Sequence, residues 1–258
     1  MSDLIRLEYR NVTMRFTQAS GELTAVQGVD IAIRDGEVVS LIGPSGCGKS
    51  TLLNIGSGLA IPSEGQAFVE GALVTGPNEQ VAFMLQKDLL LPWRTIAENV
   101  MFGVEIQGVP APERKKRAQA LLDMLKLSEF SNHYPHQLSG GMRQRVALAR
   151  TLAVDPTVLL LDEPFSAVDA QTRMVLQREL AQTLKRAGKT ALLITHDLLE
   201  AVTLSDRVLV MSRRPGRIID EIAIDIPDRD DPLKRRLHPN VAGYVNRLMD
   251  RLDIAVPA

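Results

Sequence analysis

The sequence predicts an α/β fold: a parallel-sheet core carrying a phosphate-binding loop, an antiparallel β layer at its N-terminal side, and an α-helical subdomain inserted into the core. Three observations carry this prediction. A buried-strand run, Val38 to Ile42, breaks at Gly43 into a glycine-rich turn that leads into a helix. From Thr157 to Met211, short apolar strands alternate with helical stretches, the pattern of parallel strands joined by crossover helices. Between these two parts, from about Asp88 to Asp155, the pattern is almost wholly helical.

Taken in order, residues 4–16 and 23–43 alternate apolar and polar positions between turn residues, which predicts the antiparallel layer that feeds the central strand. A helix is expected from Lys49 to Leu59, then a β-hairpin across 61–77 with turns at Ser63-Glu64-Gly65 and Glu70-Gly71. Val81 to Leu85 reads as a further buried strand ending on Gln86. In the helical segment, one helix starts over Glu98 to Phe102. A longer amphipathic one covers Glu113 to Leu127, with Leu121, Leu122 and Leu125 on its apolar side. Its basic run, Arg114 to Arg117, reads as a solvated face. The core resumes with strands at Thr157–Leu161, Thr190–Thr195 and Arg207–Met211 and helices at Ala170–Arg186 and Leu198–Leu204. Gly216 to Ile226 returns to a β-like pattern, and a short helix is expected near the C-terminus. The expected organisation is one domain over 1–258: core and β layer in 1–86 and 156–226, helical subdomain in 87–155, helical tail in 227–258.

At 258 residues the chain can bury one sizeable core, and 45% hydrophobic with 24% charged residues excludes disordered and collagen-like classes. Lysine plus arginine number 30 against 31 acidic residues, so no wholesale nucleic-acid binding is expected. The single cysteine, Cys47, has no disulfide partner and reads as a loop position without a redox role. Charges at Asp3, Arg6, Glu8 and Arg10 exclude a signal peptide at the N-terminus, and no apolar run approaches the ~20 residues of a membrane span. A cytosolic protein, or one docked on a membrane through a partner, is expected.

The chemistry begins at Gly43, Pro44, Ser45, Gly46, Cys47, Gly48, Lys49 and Ser50, which fit G-x-x-x-x-G-K-[ST]. Glycines let successive backbone N–H groups turn toward an anion, and the following helix aims its unpaired donors and positive dipole end at the same phosphates. Lys49 adds a charge for the outer phosphates, the Ser50 hydroxyl can ligate Mg²⁺, and Thr51 follows in the first turn. Val158 to Leu161 delivers Asp162 and Glu163 at a strand's C-terminal end, where ligands bind in open parallel sheets. Asp162 can hold Mg²⁺, and Glu163 can polarise an attacking water as general base. His196 follows the strand Leu192-Leu193-Ile194-Thr195 and emerges at the same edge, able to bridge phosphate, water and Glu163. His133, His136 and His238 read as surface residues. Phe16, in the β layer, either lies against a purine or packs in the core.

A second anion site stands at Leu138-Ser139-Gly140-Gly141-Met142, where Ser139 is a helix N-cap and the glycines expose backbone donors. These residues match the LSGGQ signature of the ATP-binding cassette (ABC) family, with Met142 where Gln is usual. Nearly the whole chain resembles an ABC ATPase, a P-loop NTPase with a RecA-like core, and the motifs stand in the expected order. The resemblance places Phe16 at the adenine-stacking aromatic, Gln86 at the glutamine loop that senses Mg²⁺ and water, Ser166-Ala167-Val168-Asp169 at the dimer-contacting loop, and His196 at the switch histidine. It further implies ATP and Mg²⁺ as ligands, with Ser50, Gln86 and Asp162 on the metal. It also implies a head-to-tail dimer in which Gly43–Thr51 of one copy and Ser139–Gly141 of the other grip each ATP.

Within the family, a single cassette without a membrane segment resembles the ATPase subunit of a bacterial importer, peripheral on the cytoplasmic face of the inner membrane. Its implied partners are permease subunits and, indirectly, a solute-binding protein. Leu89-Leu90-Leu91-Pro92-Trp93 stands where such subunits receive the permease, or packs in the helical subdomain. The stretches from Leu89 to Val100 and from Val208 to Ile218 are similar to the nitrate/sulfonate/taurine importer group, although a pyrimidine precursor or another small organic solute fits equally. The alternative is a soluble ABC ATPase acting on nucleic acid or ribosomes, whose usual coiled-coil insertion or second cassette is absent.

Overall fold

The structure, a computed structural model, describes residues 4–18 and 21–253. Two sheets enclose one helix. The first is antiparallel, in the order β2-β1-β4-β5, from β1 (Ile5–Gln18), β2 (Gly21–Arg34), β4 (Glu64–Val69) and β5 (Ala72–Leu73). The second, of six strands, runs β10-β9-β3-β8-β7-β6. Its parallel members are β3 (Val38–Ile42), β6 (Val81–Met84), β7 (Val158–Asp162), β8 (Thr190–Ile194) and β9 (Arg207–Met211), with β10 (Ile218–Ala223) antiparallel at one edge. Every residue of β3, β7 and β8 is buried, as continuous apolar runs covered on both faces require.

Helix α1 (Lys49–Gly56) lies between the sheets and buries Leu52, Leu53 and Ile55. Its close seat depends on Gly56: a β-carbon there would stand 2.3 Å from Tyr9 Oη. That hydroxyl donates to Leu52 O at 2.8 Å.

The segment between β6 and β7 holds α2 (Ile96–Ile106), α3 (Ala111–Met124) and α4 (Gly140–Ala153). Helix α2 starts at Ile96, before the expected start at Glu98, because Thr95 and Glu98 form a reciprocal capping box, and Val104 continues its buried face. Helix α3 begins earlier than expected, behind Pro110, and ends at Met124, so Leu125 packs from just beyond it. These helices share a continuous core with Leu159, Leu161 and Leu193 of the parallel sheet.

The remaining helices are α5 (Ala170–Arg186), α6 (Leu198–Leu204), α7 (Pro232–Arg236) and α8 (Val241–Arg251). Helix α8 lays Val241 and Leu248 on Ile42, Val202, Val208 and Val210. Arg235 of α7, 3% exposed, donates to Ser205 O at 2.7 Å, to Ile226 O, and to Pro227 O at 3.1 Å. A buried guanidinium spread over carbonyls at the C-terminal end of α6 complements the negative end of that helix. Among the described residues, no helix is long and apolar enough to cross a membrane.

Candidate nucleotide and hydrolysis site

Because β3, β7 and β8 are parallel neighbours in register, with Leu41 beside Ile194 and Asp162 beside Ile194, the residues after each strand emerge at one edge. Gly43, Glu163 and His196 are thereby gathered from positions far apart in the chain. A cavity of about 380 Å³ opens there, walled by Phe16, Gly48, Lys49, Ser50, Gln86 and Glu163 among others. Ser45, Gly46, Thr51 and Asp162 complete its floor and sides. Phe16 is 42% exposed at its rim, so of the two sequence readings the structure places it at the cavity and not in the core. Gly43, Pro44 and His196 line an adjoining cavity of about 740 Å³, which shares Ser45 and Gly46 with the first. Cys47 is buried beneath the loop, 1% exposed.

The phosphate loop is held in shape by its glycines. Gly48 has φ +111°, and a β-carbon there would lie 2.4 Å from Val26 Cγ1 and 3.0 Å from Ala25 O. Only glycine takes both the conformation and the contact. Helix α1 starts immediately after it with no side-chain cap, which leaves its first-turn donors for an anion. Lys49 Nζ donates to Gly43 O at 2.7 Å and to Pro44 O at 3.0 Å, spanning the mouth of the loop.

Asp162 is 6% exposed. Burial pushes its carboxyl above the usual carboxylate range, the Ser50 hydroxyl bonded to it pulls the other way, neighbouring Glu163 pushes it up, and Lys49 pulls it down. Glu163 sits in a left-handed backbone conformation, φ +47°. Such strain costs on the order of 1–3 kcal/mol and persists where surrounding contacts hold it. Here the Glu163 carbonyl accepts from Ser166 N at 3.2 Å and Ser166 Oγ at 3.0 Å, and its N–H donates to Ile194 O at 3.0 Å. The result is a carboxylate aimed at one point: Gln86 Nε2 donates to Glu163 Oε2 at 2.9 Å, and His196 Nδ1 stands 3.4 Å from the same oxygen. An amide, an imidazole and a carboxylate converging beside a phosphate loop can orient a water and take its proton.

Ser139, Gly140 and Gly141 line neither cavity. Ser139 caps α4, its Oγ accepting from Met142 N at 3.3 Å, but this second helix start contributes no wall to the cavity at the chain's own phosphate loop. Helix α4 instead grips the loop after β6. Gln144 Nε2 donates to Gln86 O at 3.5 Å, Arg143 Nε to Asp88 Oδ2 at 2.9 Å, and Arg150 to Asp88 O at 2.7 Å and Leu89 O at 2.8 Å. Arg143 and Arg150 are seven residues apart on one helix face, a spacing visible in the sequence although their target is not.

Arg214 is a further residue at the site that the sequence pattern does not single out. From the turn after β9 it reaches the phosphate loop, donating to Gly46 O through Nε at 3.0 Å and Nη2 at 2.6 Å, and it lines both cavities. The available signal is a basic turn, Arg213-Arg214-Pro215-Gly216, at the C-terminal end of a parallel strand. His133, expected at the surface, is half-buried edge-on to Phe130, 5.3 Å between ring centres.

Residues 26–166 match the model of the family described as ABC transporter. The chain is 45% identical over 222 residues to an ABC transporter ATP-binding protein of Methanocaldococcus jannaschii, covering 86% of this chain and 83% of that one. It is 43% identical over 223 residues to the taurine import ATP-binding protein TauB of Roseobacter denitrificans, with 86% and 83% covered. Among solved structures, the ATP-binding cassette MJ0796, a dimer in a post-hydrolysis state bound to ADP and Pi, superposes with a TM-score of 0.79 at 33% identity, covering 85% of this chain and 99% of that one. With the loop, the strand-end carboxylates and the capped second helix start all present on this fold, the chain belongs to the ABC transporter family, as an ATP-binding ATPase subunit.

Proposed function

We propose that the chain is the ATPase subunit of an importer that works as a head-to-tail dimer, each ATP held between Gly43–Thr51 of one copy and Ser139–Gly141 of the other. One observation carries this reading. The chain owns two anion-binding helix starts, and only one of them opens on its own nucleotide cavity. A two-fold arrangement supplies the missing wall twice over. The dimeric cassette MJ0796, at 33% identity, supports it. ATP in the interface favours closure, and loss of the outer phosphate releases contacts and favours opening.

In this reading Phe16 stacks on the adenine, Lys49 and the backbone N–H groups of 45–51 hold the phosphates, and Glu163 accepts the proton of the attacking water. Gln86 and His196 fix the position of the Glu163 carboxylate, each through its contact with Oε2. Ser50 and Asp162, which line the same cavity as Lys49, offer hard oxygen donors that suit Mg²⁺. No group of three or more His, Cys, Asp or Glu among the described residues could hold a metal alone. Mg²⁺ takes one or two protein oxygens plus substrate phosphates, and Gln86 lies within the same cavity. When bound, Mg²⁺ neutralises phosphate charge.

The permease docks on the segment after Gln86, where Leu90 is buried while Leu89 and Trp93 are 55% and 72% exposed. The subunit therefore sits at the cytoplasmic face of the inner membrane, linked through the permease to a solute-binding protein. Residues 87–155 act as the helical subdomain and 227–258 as the tail. The cargo is a small anionic or zwitterionic solute of the nitrate/sulfonate/taurine kind, a reading supported by the taurine import relatives. The test is Glu163→Gln with ATP: binding retained, turnover reduced by about 10²-fold or more, and a dimer trapped in light scattering. Unchanged turnover removes Glu163 as the base, and a monomer under saturating ATP removes the two-copy site.

A further inference from the structure

Two stretches that flank the reacting groups meet at one side chain. Helix α5 is capped by Asp169, whose carboxylate accepts from Thr172 N at 3.0 Å. Four residues on, Arg173 folds back over this start. Its Nη2 donates to Val168 O at 3.0 Å, and its Nη1 stands 3.8 Å from Asp197 Oδ2. Asp197 directly follows His196 and fixes that residue's surroundings. Its N–H donates to Thr195 Oγ1 at 3.0 Å, and its Oδ1 accepts from Glu200 N at 3.0 Å, capping α6. On the other side, Val168 packs under the start of α4. A β-carbon on Gly141 would lie 3.8 Å from Val168 Cγ1 and 3.7 Å from Ala167 O. Gly141, Val168, Arg173, Asp197 and His196 are therefore successive neighbours, with the Arg173–Asp197 step a loose ion pair of 3.8 Å.

We propose that Arg173 is a positioning residue for hydrolysis, tying the Ser139–Gly141 helix start that each copy lends to its partner to the His196 segment that each copy keeps for its own nucleotide. The inference rests on the two-copy reading above. A planar guanidinium suits the task because it holds Nη2 on Val168 O and Nη1 toward Asp197 from two separate nitrogens, whereas an ammonium offers all its donors from a single atom. Stability is not the reason for the contact: the ion pair is 3.8 Å long with both side chains about one-third exposed, a geometry worth little. The junction also has space to rearrange. A cavity of about 180 Å³, walled by Arg173, Gln177, Asp197, Glu200 and Arg236, lies beside the guanidinium. A weak, forked contact with room beside it can change partners when the Gly141 end is loaded or released, and carry that change to His196.

The test compares Arg173→Lys and Arg173→Ala with the parent protein for kcat, KM, melting temperature and affinity for a fluorescent ATP analogue. Arg173 lies outside the wall of the nucleotide cavity, so affinity is expected to stay within about twofold while kcat falls about tenfold or more. Arg173→Lys keeps the charge and the stem. It is expected to melt as the parent does and still not recover kcat, a split that a merely structural role does not produce. Full recovery of kcat in Arg173→Lys, or a loss of affinity equal to the loss of kcat, overturns the proposal. Should Arg173→Ala fail to fold, Arg173→Lys decides alone on the same criteria. Arg173→Lys is also examined in the Glu163→Gln background with ATP. No dimer in Glu163→Gln itself means that the two-copy reading fails. A dimer there, with parental turnover in Arg173→Lys, means that the role of Arg173 alone fails.

Discussion

Asn99 offers a sharp test of how the exposed segment after Gln86 is held. Its side chain is fully buried, 0% exposed, and every polar atom on it is used. Oδ1 accepts from Leu91 N at 2.7 Å, while Nδ2 donates to Leu91 O and Arg94 O at 3.1 Å and to Thr95 O at 3.0 Å. One amide thus moulds the turn that presents Trp93. Truncation by Asn99→Ala removes all of these bonds and leaves the Leu91 N–H without the acceptor that Oδ1 supplies. The two N–H hydrogens and Oδ1 amount to about three full bonds at about 1 kcal/mol net each, and the Leu91 N–H left unpaired adds about 1–3 kcal/mol, so the loss is roughly 4–6 kcal/mol. Against a domain stability of about 5–15 kcal/mol the protein still folds, but the turn loosens first. Trp93 is the single tryptophan in the chain, so its fluorescence anisotropy reports this segment alone. Urea denaturation followed by circular dichroism reports the whole. Asn99→Ala should lower the Trp93 anisotropy in the absence of urea and shift the midpoint by the amount above. Unchanged anisotropy with a stability loss below about 1 kcal/mol refutes the reasoning.

Three other outcomes are expected. Lys49→Ala should weaken ATP binding roughly 10- to 100-fold in a fluorescent-nucleotide titration, the loss of one charge-assisted bond, and undiminished affinity would remove Lys49 from the phosphates. Burial, followed by the nearby Asp197 charge, pushes the Glu200 carboxyl from 4.5 up to about 7. The native protein then binds a proton that the unfolded chain releases, so stability falls as pH rises from about 4.5 to about 7 and is level beyond. Glu200→Gln should abolish that fall and be more stable than the parent at pH 8 by up to about 3 kcal/mol, with no difference at pH 4; parallel stability curves contradict it. Trp93→Ala, at a residue 72% exposed, should change stability by less than about 0.5 kcal/mol and spare basal ATPase while abolishing uptake in reconstituted vesicles. Equal loss of ATPase and uptake would assign Trp93 to folding.

What could be read from the chain alone was whatever strand ends and period dictate. Residues following β3, β7 and β8 share an edge because parallel strands in register leave no other place for them, so Gly43, Glu163 and His196 were placed by pattern. The start of α2 was also within reach, since Thr95 and Glu98 spell a capping box. The contacts of Arg214 with Gly46, of Arg173 with Asp197 and of Asn99 with the 91–95 backbone leave no such mark. They are side chains seeking lone carbonyls or carboxylates across the fold. Arg207, which pairs with Glu37 at a separation of 170 residues, is the extreme case. Nothing periodic announces an acceptor that only tertiary structure brings near.

The guanidinium of Arg235, sunk among carbonyls at the end of α6, makes the last part of the chain a keystone and not an appendage. Pull it out and the helix behind His196 loses its plug, while the greasy patch of Ile42, Val202 and Val208 under α8 is laid bare to water. Trimming the protein back to its catalytic motifs would thus spoil the very ground on which those motifs stand.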